Sequence, residues 1–361
     1  MRKLASIKEI LSIEPIEGKD RIVLARIDGW QAIIKKGEFN VGDRVIFCEP
    51  DSVLPKKPEF KFLAKYNYRI KTQKMGKGYS QGLVLPIGLL PKGKYELGDD
   101  VTGLLGITQY ERTMDKEAPD AYKQKAMNYP KWLTKYSWFR RLFMTSKKKS
   151  EFPSFIKKTD EERIQNVPYL LNTTNEWVVT EKIDGTSGTF VVVRKKGLFR
   201  NKYEFIVCSR NMRLSAKDDG SVYWDVAKKY KIKEELKQLL EYNPQMQWIC
   251  VQGECIAPRI QGNKYKVVES QFFAFNLISS TIGRYGSLDA KTILKACNIP
   301  FVPIIEQKSL TGMSVNDVLE YATGNSVVNP NVLREGYVFR TLDGKMSFKA
   351  VSPKFLLKND E

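Results

Sequence analysis

Residues Glu181 to Ser187 read EKIDGTS, and the run before them, EWVVT (Glu176 to Thr180), is rich in the β-branched and aromatic residues that favour a strand. A strand through Lys182 that breaks into a tight turn at Gly185 is the expected local structure. Side chains alternate across a strand, which puts Thr180, Lys182 and Asp184 on one face and Val179, Glu181 and Ile183 on the other. An amine and a carboxylate therefore share a face. A lysine amine attacks phosphorus only when deprotonated, and neighbouring cations or a metal ion can depress its pKa enough to supply free amine near neutral pH. The letters K-x-D-G also describe a surface ion pair before a β-turn, and the rest of the chain decides between the two.

Further along, four predicted strands carry a charged residue at or near an end, and a fifth is aromatic. CSRNMRL holds Ser209 and Arg210, QWICVQGECIAP holds Glu254, REGYVFR holds Glu335, and MSFKAVSPKFLLK holds Lys349 and Lys354; QFFAFNLI, with Phe273 and Phe275 on one face, is the aromatic strand. In that order and with that chemistry the chain resembles the covalent nucleotidyltransferase superfamily of ATP-dependent polynucleotide ligases and mRNA capping enzymes. More narrowly it resembles the Naegleria-type RNA ligases, through IQGN (Ile260 to Asn263), KTDEERIQN (Lys158 to Asn166) and YSQGLVLP (Tyr79 to Pro86). The resemblance spans nearly the whole chain.

The resemblance implies a role for each residue. Lys182 attacks the ATP α-phosphorus, expels pyrophosphate and becomes a lysyl-adenylate. Asp184 and Glu335 hold, through water, a Mg²⁺ or Mn²⁺ ion. Glu254 bonds the ribose, Arg210 a phosphate or the adenylate, and Lys349 the phosphate from the last motif. One of Phe273 and Phe275 stacks on adenine, although a core role is the default for strand aromatics. Glu181 faces away from Lys182 and is expected to reach the adenine edge. One departure stands out: relatives often carry K-x-K in the last motif, whereas this chain has Lys349, Ala350, Val351. Lys354 is the nearest replacement, with a surface lysine as the alternative.

Composition agrees. Sixty Lys and Arg against 41 Asp and Glu give a net charge of +19, which suits a polyanion whose phosphates the lysines neutralise. The chain has no histidine, which removes Ser-His and Cys-His triads, His-ligated zinc and histidine proton relays together. Lysine, carboxylate and an oxygen-held metal remain. Five cysteines, Cys48, Cys208, Cys250, Cys255 and Cys297, lack paired spacing and read as reduced core thiols. No long apolar run and no leader-like segment is present, so a cytoplasmic protein without membrane contact is expected.

The fold class expected is α+β in three parts. Residues 1–108 form an OB-like β-barrel, with a hairpin about Asp28-Gly29 and two similar turn-plus-strand units, VGDRVIF and LGDDVTG. Its loop Arg69 to Gly82 is either a mobile barrel loop or an RNA contact. Residues 109–158 form a basic, aromatic, partly helical linker; Trp132, Tyr136, Phe139 and Phe143 fall at helical spacing, with Arg140, Arg141 and Lys147 to Lys149 opposite. Residues 159–361 form the nucleotidyltransferase domain, ATP-grasp-like antiparallel sheets with flanking helices at Lys233 to Tyr242 and Ser314 to Ala322.

Glu335 and Lys349 must reach one pocket from a hairpin around Asp343-Gly344. A two-residue turn would set Lys349 opposite Val338, away from Glu335. A three-residue loop, Leu342 to Gly344, pairs it with Tyr337 and restores the shared face, so a type I turn with a glycine bulge and positive φ at Gly344 is expected.

The function that follows is an ATP-dependent RNA ligase, a monomer that joins 3′-OH and 5′-phosphate RNA ends, with nicked duplex as one candidate substrate. Two alternatives stay open: a GTP-dependent capping guanylyltransferase, and a non-catalytic RNA-binding protein with a retired nucleotidyltransferase fold.

Overall fold

The computed structural model describes residues 3–76, 78–110, 151–197, 200–214, 218 and 220–359. The aromatic stripe and basic run expected between Trp132 and Lys149 lie outside them.

The N-terminal half is built of short strands. β1 (Ala5–Glu9), β2 (Ser12–Ile16), β3 (Lys19–Ile27), β4 (Trp30–Lys35), β5 (Arg44–Cys48), β6 (Ser52–Val53), β7 (Gln73–Met75), β8 (Gly78–Ser80), β9 (Leu83–Pro86) and β10 (Thr108–Gln109) form two three-stranded sheets, β1-β5-β9 and β2-β3-β4, and two small pairs. Ile10, Ala25, Ile27, Trp30, Val45 and Phe47 fill the space between the three-stranded sheets. The Asp28-Gly29 hairpin is as expected: Ile27 pairs with Trp30 across two residues, with Asp28 left-handed at φ 50°. The basic loop expected from Arg69 to Gly82 contains the β7–β8 hairpin, tied to β4 by Gln31 Nε2 donating to Tyr79 O at 2.9 Å.

One reading of the sequence needs correction. VGDRVIF and LGDDVTG share a turn, with Gly42 and Gly98 at φ 89° and 88°, but the second runs into the short helix Thr102–Leu105. Residues 98–101 first bond along β1, and the Thr102 hydroxyl then accepts from Leu4 N and Ala5 N, which ends the pairing after four residues.

The C-terminal half has two antiparallel sheets. β11 (Glu176–Lys182), β17 (Ile304–Ser309), β18 (Gly336–Thr341) and β19 (Ser347–Val351) form one in the order β17-β11-β18-β19. β12 (Thr186–Lys195), β13 (Lys202–Cys208), β14 (Trp248–Ile256), β15 (Gln271–Ser279) and β16 (Gly283–Arg284) form the other in the order β13-β12-β14-β15-β16. Alternation explains the burial: Trp177, Val179, Tyr337, Phe339, Phe348 and Ala350 pack on the helix Val315–Tyr321, leaving Thr180, Lys182, Val338 and Lys349 to the opposite face. The expected helices are present at Ile232–Tyr242 and Val315–Tyr321, the latter started by a capping box on Ser314. All five cysteines are free and buried.

The two halves meet along a polar seam. Trp30 Nε1 donates to Asn166 Oδ1 at 2.7 Å, and Asn166 Nδ2 donates to Glu49 Oε1 at 2.6 Å and to Glu162 Oε1 at 2.8 Å. The hairpin tip lies so close that a Cβ on Gly29 would sit 2.7 Å from Gln165 Cα.

Candidate active site

β11 ends at Lys182 in one sheet and β12 begins at Thr186 in the other, so Ile183, Asp184 and Gly185 carry the chain across the gap between them. Gly185 is required there, because a Cβ would come within 2.4 Å of Cys255 O. A cavity of about 300 Å³ opens at this crossing. Lys182, Asp184, Glu254, Glu335, Arg210, Lys349 and Phe275 line it, together with Asp51 and Tyr110 from the N-terminal half. With Glu181, which also lines it, eight of the ten expected site residues therefore converge.

The hairpin that brings Glu335 and Lys349 together differs from the expectation. Its partners sum to 687, with Val338 opposite Lys349 and Tyr337 opposite Ala350. The loop has four residues, Leu342 to Lys345, closed by Thr341 N donating to Met346 O and Gly344 N donating to Thr341 O. The Thr341 hydroxyl donates to Asp343 Oδ1 at 2.6 Å and accepts from Met346 N, filling the turn from inside. Gly344 is left-handed at φ 69°, as expected. Lys349 thus lies on the Lys182 face in this register, and it is Glu335 that departs from alternation. Gly336, at φ 156° and with Ala350 O only 2.0 Å from where a Cβ would be, turns the chain so that Glu335 Oε2 receives a hydrogen bond from Lys182 Nζ at 2.5 Å.

Electrostatics follow from that crowding. Burial works to lower the Lys182 pKa, but Glu335, Glu254 and Asp184 outweigh it and hold the ammonium above its ordinary value. Burial, opposed by Lys182 and reinforced by Glu335 and Asp184, pushes Glu254 up to about 8. Glu254 Oε1 also accepts from Gly185 N at 3.1 Å. Lys264 Nζ is bonded to the Asp184 carboxylate.

These residues fit a divalent metal held through water. The donors are oxygen-only, as hard cations require, and among the described residues no three acidic or sulfur groups are close enough to ligate an ion directly. Asp184 and Glu335, the residues expected to hold it, share the cavity with Lys182.

Other expected residues fall as follows. The Glu181 carboxylate accepts from Val327 N at 2.7 Å and so holds the loop after Ser326, while the residue also contributes to the cavity lining. Burial raises its pKa. Phe273 and Phe275 both pack around Ile183, Ile256, Tyr265 and Val302, but only Phe275 lines the cavity. Lys354 is exposed at the start of the helix Pro353–Asn359 and is not part of the lining; Val351 occupies the place beside Lys349.

Sequence reasoning gave no role to several residues that matter here. Asp160 accepts from Lys349 Nζ at 2.8 Å, and Glu162 O accepts from Lys349 N at 2.7 Å, so KTDEERIQN runs beside β19. Glu161 accepts from Arg340 Nη2 at 2.9 Å, and Arg340 Nη1 donates to Phe275 O at 2.5 Å. From the IQGN stretch, Gln261 Nε2 donates to Gly185 O at 3.1 Å and the Tyr265 hydroxyl accepts from Asp184 N at 3.0 Å. Gln261, Gly262 and Asn263 all have positive φ, at 50°, 68° and 50°, which costs a non-glycine residue about 1 kcal/mol or more. Both stretches were visible as motifs; their contacts are long-range and had no local signal.

An RNA ligase family model matches residues 175–356, and an OB-fold domain model matches residues 4–87. The chain belongs to the RNA ligase family. The Naegleria gruberi RNA ligase solved with PPi has a TM-score of 0.81 and 31% identity to this ligase, covering 100% of this chain and 99% of that one. A mutant of that enzyme with AMP and Mn gives 0.80 at 32% identity, covering 99% of each chain. A further mutant with ATP and Mn gives 0.79 at 31%, covering 99% of this chain and 98% of that one. No curated protein matches the chain. The α+β class and the order of barrel before catalytic domain are as the motifs led one to expect. Among the described residues no helix is long and apolar enough to cross a membrane.

Proposed function

We propose that this RNA ligase joins a 3′-OH to a 5′-phosphate in three steps: adenylylation of Lys182 by ATP, transfer of AMP to the 5′-phosphate, and attack of the 3′-OH with loss of AMP. RNA is the substrate class of the family, and Naegleria gruberi RNA ligase is known with ATP and Mn and with AMP and Mn. The observation that carries the assignment is the Lys182 amine, 2.5 Å from Glu335 on the wall of the inter-sheet cavity and facing Asp184 and Glu254.

Each side chain has a task in this reading. Lys182 is the nucleophile, and its three carboxylate neighbours keep it protonated until cations offset their charge. Asp184 and Glu335 would hold, through water, a divalent ion that would supply that charge and polarise the α-phosphate. Lys349, steered by Asp160, and Arg210, exposed at the rim, face phosphate oxygens. Phe275 and Val338 offer apolar walls for adenine, and Glu254 meets the ribose. Residues 1–108, 109–158 and 159–361 are the barrel, linker and catalytic domain, acting as a monomer in the cytoplasm, with nicked duplex one candidate substrate.

The test is covalent labelling with α-labelled ATP or GTP followed by a denaturing gel. ATP label that chelation abolishes supports the ligase reading. Strong GTP label would move the chain to the capping branch, and no label at all would leave a retired fold that binds RNA.

A further inference from the structure

We infer that the stretch from Gln261 to Tyr265, whose first three residues are left-handed, is the device that positions the nucleophile turn, with Gln261 and Tyr265 as positioning residues for lysine adenylylation. The inference rests on Lys182 being the nucleophile.

The crossing residues Ile183 to Gly185 belong to neither sheet, so their peptide groups lack the ladder partners that fix Lys182 on one side and Thr186 on the other. Side chains from this stretch supply the missing bonds. Tyr265 accepts from Asp184 N, Gln261 donates to Gly185 O, and Lys264 holds the Asp184 carboxylate, while Glu254 takes Gly185 N from the opposite side. The Asp184-Gly185 pair is thereby gripped at both ends, at Asp184 N and Gly185 O, and the peptide group between them at its N–H. Rotating it would swing the Asp184 carboxylate away from Lys182 and retilt the lysine two residues earlier.

The stretch is itself held rigidly. The Asn263 side chain closes on Val267, accepting from its N and donating to its O, both at 2.9 Å. Tyr265 is 4% exposed and its carbonyl accepts from Asn329 Nδ2 at 2.9 Å. Lys264 Nζ lies 4.8 Å from the centre of the Phe355 ring. A backbone kept in a costly conformation from several directions, beside the reacting amine, is what a fixed template requires. Tyr265 does not line the cavity, so it acts on the reaction only through Asp184.

The experiment is single-turnover adenylylation of Tyr265→Phe and Gln261→Ala over a range of ATP concentrations, with melting temperatures measured in parallel. The maximal rate is expected to fall by about tenfold or more, the scale of a misplaced reacting group, while half-saturating ATP stays within about threefold and melting changes little. A purely structural role would lower the melting temperature and leave the rate per folded molecule intact, and that result overturns the inference. So does a rate within twofold of wild type. Gln261 is partly exposed, so its truncation keeps the test open if Tyr265→Phe folds poorly. Wild-type protein that labels at a residue other than Lys182 would sink the nucleophile assignment itself, a failure distinct from either of these.

Discussion

Gly336→Ala tests how the last two motifs reach one pocket. The added methyl would lie 2.0 Å from Ala350 O and 3.0 Å from Val351 Cα, more than an ångström inside ordinary contact with the first. Either β18 and β19 part at that point, or the Glu335-Gly336 peptide rotates to ordinary strand geometry. Overpacking of this kind costs about 1–3 kcal/mol, and for a domain of about 200 residues each kcal/mol lowers the melting temperature by about 2–4 °C. The second route also returns Glu335 to the face occupied by Tyr337, breaking its bond to Lys182. Adenylylation should then fall to the level of Glu335→Ala, about tenfold or more below wild type. Labelling with α-labelled ATP below the melting transition, beside a thermal melt, reads both effects. A variant that loses stability yet labels at the wild-type rate would refute the claim that the glycine is what delivers Glu335.

Lys182→Ala should take no covalent label, while still sealing pre-adenylylated RNA to a measurable extent, because the final step does not use the lysine as attacking group; label on the alanine protein would end the assignment. Glu254 carries a pKa raised to about 8, chiefly by burial, so the folded protein binds a proton that the unfolded chain has released between the ordinary carboxylate range and that value. Its contribution therefore erodes stability as pH rises through that window. Metal-free Glu254→Gln should melt above wild type at pH 8 and lose that advantage toward pH 4, and a pH-independent difference would count against the shift. Asn166→Ala, which removes both the Trp30 and Glu49 bonds across the seam, should weaken the ordering of KTDEERIQN and slow adenylylation by several-fold, on the order of one lost buried hydrogen-bond pair; an unchanged single-turnover rate would show that the seam does not reach Lys349.

The parts of this molecule that were legible in the sequence are those written in local pattern. EWVVTEK announces its strand and the face that Lys182 and Asp184 share, and Ile27-Asp28-Gly29-Trp30 announces a two-residue turn. Register across Asp343-Gly344 was not legible, because a Thr341 hydroxyl bonding inside the turn admits a fourth loop residue without changing the turn letters. The same limit applies to Glu181, whose partner Val327 is 146 residues away, and to Gln261 and Tyr265, whose letters carry no hint of the turn they hold. Lys354 is the nearest lysine in sequence to Lys349 on the C-terminal side, but it is exposed in the helix beginning at Pro353.

The polar seam between the halves has an architectural corollary. Among the described residues every apolar cluster lies wholly within one half or the other, so neither half borrows a core from its neighbour. Each has its own core, and the two are joined by the hydrogen bonds of Asn166, the Arg163–Asp51 ion pair and the close approach of Gly29 to Gln165. Blocks of that kind can be moved, exchanged or mixed as separate polypeptides with little loss of internal stability, and what such shuffling puts at risk is the cavity wall that Asp51 and Tyr110 complete and the placement of Lys349. The barrel in this ligase is a removable fixture whose removal would be felt first in the chemistry and only secondarily in the fold.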